Sequence, residues 1–189
     1  MAVMQAPLVR AETLRAVETA EPDAAELAVA DLLRALGQDP DDDRLSGTPR
    51  RVAATLREAL QRPELPVVSF IERSESTDLI TVRGIPFQSL CEHHMLPFRG
   101  HVDIGYLPSG RIVGVSLPVR VVDHFAAGLQ IQERMTDEIA DWLYENLDAR
   151  GVGVVVEAEH LCMSFRGVGD RGTTLRTSAF RGGVTSLGQ

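Results

Sequence analysis

Apolar residues recur at three- and four-residue intervals in the N-terminal third of the chain, and further on they alternate or run together as β-branched blocks. Leu27, Ala30, Leu33 and Leu36 share one helical face, with Pro22-Asp23 as the N-cap and Gly37 as the stop. Thr48-Pro49 opens a second helix carrying Val52, Thr55, Leu56 and Leu60, with proline at the first helical position, where its missing N–H costs nothing. Asp41-Asp42-Asp43 between them reads as a solvated turn. Residues 1–22, rich in Ala, Glu and Pro and weakly periodic, read as a flexible arm, and 23–65 as an N-terminal helical region.

Beyond Pro66 the pattern turns to strand. Leu79 to Val82 and Ile85 to Phe87 form extended segments. Gly100 to Tyr106 alternates with period two, meets the turn Pro108-Ser109-Gly110 and is expected to return at Arg111 to Val115 as a hairpin. Ser116 caps a helix in which Val119, Val122, Phe125 and Ala126 share a face, broken near Gly128. Gln132 to Leu147 predicts a longer helix with Met135, Ile139, Trp142, Leu143 and Leu147 on its apolar side. Val152 to Val156 is a buried strand continued by Leu161 to Phe165, and Leu175 to Phe180 supplies the last strand. The sum is an α+β domain with helices on one face of a sheet.

Composition narrows what such a domain can do. The 189 residues carry a formal net charge of −8, which disfavours the cation-rich contacts on which nucleic-acid binding depends. No apolar run is long enough to cross a membrane, and Met1 to Arg10 lacks the form of an export signal, so the cytoplasm is the expected compartment. All 19 cationic side chains are arginine, the better planar donor for phosphates and carboxylates.

The candidate chemistry gathers at the only two cysteines. Cys91 opens Cys91-Glu92-His93-His94, and Cys162 closes Glu159-His160-Leu161-Cys162. Two thiolates and one imidazole suit a catalytic zinc, which takes three protein ligands and keeps one position open, whereas a structural site more often shows four ligands in two close pairs. The spacing of Cys91 and His94 lets one turn aim both at one ion, and only the fold can bring in Cys162. A disulfide and two unrelated buried thiols are the alternatives, the first disfavoured in a reducing compartment. His101 and His124 have no such neighbours and read as ordinary residues.

Ser89 to Phe98 (SLCEHHMLPF), Leu129 to Thr136 (LQIQERMT) and Glu157 to Met163 (EAEHLCM), in that order, resemble GTP cyclohydrolase I, and the likeness runs from about Asp23 to about Gly183. The resemblance implies a tunnelling fold over residues 66–189: an antiparallel sheet with two long helices on one face, plus the N-terminal helices, assembled into a multi-subunit β-barrel and a homodecamer with active sites between subunits. It implies conversion of GTP, through hydrolytic opening of the imidazole ring and loss of formate, to 7,8-dihydroneopterin triphosphate.

Carried over by position, Cys91, His94 and Cys162 are the ligands of one Zn2+ per subunit, and His93 and His160 the catalytic histidines. The resemblance gives Glu133 the guanine edge, Gln132 and Ser116 the ribose, and Arg51, Arg120 and Arg166 the triphosphate. The chain departs from the family at Gly114-Val115-Ser116-Leu117, where leucine stands for a phosphate-binding lysine and Pro118 follows. That departure opens a second reading, a paralogue acting on a related guanine nucleotide or stopping at a ring-opened formamide; a third reading, of another class, is a zinc-stabilised binding or regulatory oligomer without catalysis.

Overall fold

The computed structural model describes residues 21–73 and 78–188. The arm expected at residues 1–22 lies almost wholly outside the described residues. The described residues divide into two compact units, one ending at Arg57 and the other beginning at Glu58. The boundary falls within the second helix.

In the first unit, helix α1 (Ala24–Ala35) starts where its cap predicts: the Asp23 carboxylate accepts from the N–H groups of Ala25 (2.9 Å) and Glu26 (3.2 Å). Arg57 and Arg50 of helix α2 (Thr48–Leu60) pair with Asp23 and Glu26. The apolar stripe of α1 is periodic as expected, yet no residue of this helix is buried, and Leu27 and Leu36 are exposed. The triple-aspartate segment is a turn in which Asp42 pairs with Arg44.

The second unit is built on β2 (Ile80–Cys91), β3 (Pro97–Pro108), β6 (Ala149–His160) and β7 (Leu175–Gly182), each antiparallel to the next. A short strand β5 (Leu129–Gln130) lies parallel to the end of β2, so the sheet is mixed rather than wholly antiparallel, in the order β5-β2-β3-β6-β7. Helices α3 (Ser116–Ala126) and α4 (Gln132–Asn146) cover one face. Alternate residues point inward from the strands: Ile85 and Phe87 of β2, Val102, Ile104 and Tyr106 of β3, and Val152, Val154 and Val156 of β6. They pack against Val121 and Val122 of α3 and Met135, Ile139 and Leu143 of α4. Val119, expected on the inward side of α3, is exposed, and Leu117 and Pro118 are buried in its place.

Two expected elements take other forms. Strand β4 (Arg111–Val113) does not return along β3 as a hairpin; it pairs with β1 (Phe70–Arg73), with Phe70 opposite Val113. Both edges of β3 are already taken, since Tyr106 sits opposite Ile80 of β2 and Val152 of β6. The turn signal at Ser109-Gly110 specifies a reversal without naming a partner strand. Leu161 to Phe165 is not a strand either, because a helical turn, α5 (Leu161–Ser164), follows β6 at once and its Leu161 carbonyl accepts from the Phe165 N–H (2.9 Å).

Near the start of β3 the sheet is drawn tight at Gly100, opposite Ala158: a Cβ there would sit 1.8 Å from the Glu157 carbonyl oxygen. Backbone cannot yield as a flexible side chain can. Gly100→Ala is expected to destabilise the fold by about 1–3 kcal/mol or more, read as a lowered urea midpoint. An unchanged midpoint would show that the two strands are not held at this distance.

Candidate active site

Strand β2 ends at Cys91, whose N–H donates to the Leu96 carbonyl (2.9 Å) while its own carbonyl accepts from the N–H groups of Met95 (2.8 Å) and His94 (3.3 Å). Met95 adopts a left-handed φ of 54°, uncommon for a residue with a side chain, and this closes the turn that leads into β3. Cys91 and His94 are thereby brought to one side of the turn. The register of β3 with β6 sets Phe98 opposite His160, so the end of β6 lies beside that turn and α5 then carries Cys162 toward it.

The ligand atoms of Cys91, His94 and Cys162 all lie within 4.8 Å of one another. Both cysteines are free, so no disulfide joins them. Tetrahedral zinc with bonds of about 2.3 Å to sulfur and about 2.0–2.1 Å to nitrogen would need ligand atoms roughly 3.6–3.8 Å apart, a small contraction from this spacing. The donor set fits a thiophilic divalent ion.

Two further imidazoles stand at the same place. His93 is exposed, with its Nδ1 3.8 Å from the Cys91 Sγ. His160 is half-buried and stacks flat on Phe98, ring centroids 4.7 Å apart and planes 7° from parallel. Burial lowers the pKa of His160, and the nearby Glu133 carboxylate partly offsets this. The exposed Glu133 in the first turn of α4 is therefore within electrostatic reach of His160. Arg166 Nη1 lies 3.5 Å from His94 Nε2, which adds a cation to the rim.

Gln132, expected near a ribose, is fully buried, and its amide is bonded inside the fold. Ser116 and Arg120 are exposed on α3, but Ser116 opens a helix whose other end lies at the cysteine turn: the Phe125 carbonyl accepts from Gln130, which pairs with Cys91. Ten residue steps along a helix span about 15 Å, so a single chain does not bring Ser116 to its own Cys91. Ser116 is the first helical residue of α3, and the N-cap is Val115 with no side-chain bond. Leu117, at the family lysine's position, is part of the core. Arg51 lies in the N-terminal unit, where it bonds Thr48 (3.2 Å).

A family model for GTP cyclohydrolase I matches residues 25–187. The chain belongs to that family. The GTP cyclohydrolase 1 of Corynebacterium glutamicum is 44% identical over 173 residues, covering 89% of this chain and 88% of that protein. The Mycobacterium leprae protein of the same name is 47% identical over 163 residues, 84% of this chain and 80% of its own length. That of Aquifex aeolicus is 48% identical over 155 residues, 82% and 84% respectively. This GTP cyclohydrolase I family member is thus an enzyme.

Sequence reasoning missed the polar clamp that ties the cysteine turn of this family member to α4. Arg134 donates to the Glu92 carboxylate (2.6 Å) and to Gln130 Oε1 (3.0 Å), while the buried Gln130 amide nitrogen donates to Glu138 (2.8 Å) and to the Phe125 carbonyl (3.0 Å). The available signal was Arg134 in the Gln132-Glu133-Arg134 block, whose partner lies 42 positions away. Phe98, the platform for His160, stood out in the sequence only as the last residue of the Ser89 to Phe98 block.

Burial, reinforced by the neighbouring Cys91, raises the pKa of the Cys162 thiol. A thiol so placed stays protonated near neutral pH and must lose its proton to become a ligand. Zinc uptake by the metal-free protein is therefore expected to release protons and to tighten as pH rises from about 6 to about 8, read by chelator competition in weakly buffered indicator. An affinity independent of pH would contradict the thiol assignment.

Proposed function

We propose that the protein opens the imidazole ring of GTP hydrolytically, releases formate and rearranges the remainder to 7,8-dihydroneopterin triphosphate. The observation that carries this reading is the meeting of Cys91, His94 and Cys162 with two non-ligand imidazoles, His93 and His160. A binding or regulatory module needs the first three residues and has no use for the other two.

Cys91, His94 and Cys162 would hold one Zn2+ per subunit. When bound, a zinc ion with three protein ligands and an open position supplies Lewis acidity at neutral pH. The rest of the chemistry falls to the chain. Glu133 accepts from the ring N–H and exocyclic amine of guanine, adjacent donors that adenine lacks. His160 gives a proton to purine N7, which makes C8 electrophilic, and an imidazole is suited to delivering and recovering that proton near neutral pH. His93, exposed and 3.8 Å from the Cys91 sulfur, serves the proton transfers of formamide hydrolysis. Arg166 takes a phosphate, with Arg120 and Arg51 as further phosphate contacts and Ser116 assisting the rearrangement at the ribose.

The distance of Ser116 from its own cysteine turn supports a site shared between subunits, with α3 of a neighbour bringing Ser116 and Arg120. That arrangement accords with a homodecamer of tunnelling-fold subunits whose sheets close into a barrel. A cytoplasmic setting fits the paired thiols, and among the described residues no helix is long and apolar enough to cross a membrane. The buried Leu117 leaves Arg120, one turn further along α3, as the exposed cation there.

His160→Ala is expected to lower formate release from GTP by about a hundredfold or more while zinc content and assembly stay normal. Full activity in this variant would remove the proposed proton donor. Glu133→Gln is expected to lower kcat/KM for GTP by about ten- to a hundredfold. Should GTP, GDP and GMP be turned over equally by the unaltered enzyme, the triphosphate reading would give way to that of a paralogue with another guanine nucleotide as substrate.

A further inference from the structure

The least expected residue at the site is Gln132, a fully buried amide one position before Glu133. Its Nε2 lies 2.9 Å from the Leu175 carbonyl oxygen, 3.2 Å from the Val156 carbonyl oxygen and 3.1 Å from the Thr177 hydroxyl. The two carbonyls can only accept, so the nitrogen end of the amide must face them. The reversed amide would set oxygen against oxygen at both. Thr136 reinforces the arrangement, since its hydroxyl donates to the main-chain carbonyl of Gln132 (2.7 Å) and lies 2.6 Å from the Thr177 hydroxyl.

With its nitrogen committed in this way, Gln132 presents its oxygen to His160: Oε1 lies 2.8 Å from the imidazole Nε2. An amide oxygen cannot donate, so Nε2 of His160 must carry a hydrogen. Nδ1 makes no hydrogen bond among the described residues. Phe98, stacked flat beneath the ring, confines it to its plane. Within that plane, the Gln132 bond decides which nitrogen is turned inward.

We propose that Gln132 is a positioning residue that holds neutral His160 in the Nε2–H form and makes Nδ1 the nitrogen presented to substrate. The inference deepens the proposed function and, in its statement about substrate, rests on it. In the proton transfer assigned to His160, Nδ1 of the neutral ring first takes a proton from solvent to give the imidazolium; the Nδ1–H bond then breaks, its electron pair stays on Nδ1, the proton joins N7 of the purine, and the Nε2–H bond to Gln132 is retained throughout. The two strand carbonyls that orient Gln132 belong to β6 and β7, so the sheet itself sets the tautomer.

Solid-state 15N spectra of the zinc-loaded, histidine-labelled protein, with His160→Ala to assign the signal among five histidines, test this without substrate. The expected result is a neutral His160 protonated at Nε2, and in Gln132→Leu a mixture of tautomers. In kinetics on GTP, Gln132→Leu is expected to lower kcat about ten- to a hundredfold with KM and zinc content little changed. A His160 protonated at Nδ1 in the unaltered protein would overturn the proposal even if the leucine variant does not fold, and so would a Gln132→Leu protein with an unchanged tautomer. Because the spectra need no turnover, this failure is separable from failure to act on GTP.

Discussion

Phe98 stands opposite Ser89 of β2 on one side and His160 of β6 on the other, and the site depends on that register. It sets the Cys91–His94 turn, at the end of β2, beside the last residue of β6, so that one helical turn beyond His160 suffices to bring in Cys162. A slip of one residue would carry every inward side chain of β3 to the opposite face. Val102, Ile104 and Tyr106, all buried, resist that slip together. The packing of an ordinary apolar core thus fixes where a metal could be held.

Buried polar side chains do the finer placement. An unsatisfied amide in the core costs about 1–3 kcal/mol, so Gln130 and Gln132 can be enclosed only where their partners are in place. Gln130 links the end of α3 to α4 and, through Arg134, to Glu92 inside the cysteine turn. Gln132 links β6 and β7 to His160. One amide steadies the turn that bears Cys91 and His94, and the other steadies an imidazole. The two stand on either side of Ile131 at the entry to α4, where Glu133 follows Gln132.

Local signals in the sequence were read well where local physics governs. Asp23 caps its helix, Val152 to Val156 lies in a buried strand, and Cys91 and His94 share one turn, which Cys162 joins only through the register of β3 with β6. Non-local choices were hidden. Arg111 to Val113 has the pattern of a returning hairpin strand, yet its partner is β1 because β2 and β6 already occupy both edges of β3. Leu161 to Phe165 has an apolar look suited to a strand, and a helical turn forms there. Leu27 and Leu36 obey helical spacing while remaining exposed, for periodicity reports a face and not what covers it. Gln132 looked like a ligand contact because nothing in its neighbours announces carbonyls from two strands far along the chain.

In the proposed reaction this metal-binding triad and its two added imidazoles open a guanine ring and carry the product through rearrangement. The most direct test is to incubate the zinc-loaded assembly with GTP and follow formate together with neopterin fluorescence after oxidation and dephosphorylation. Both products are expected in equal amounts, and neither after zinc is removed by a chelator. Formate without neopterin would contradict the rearrangement, and the absence of both from zinc-replete protein would contradict the reading of the site.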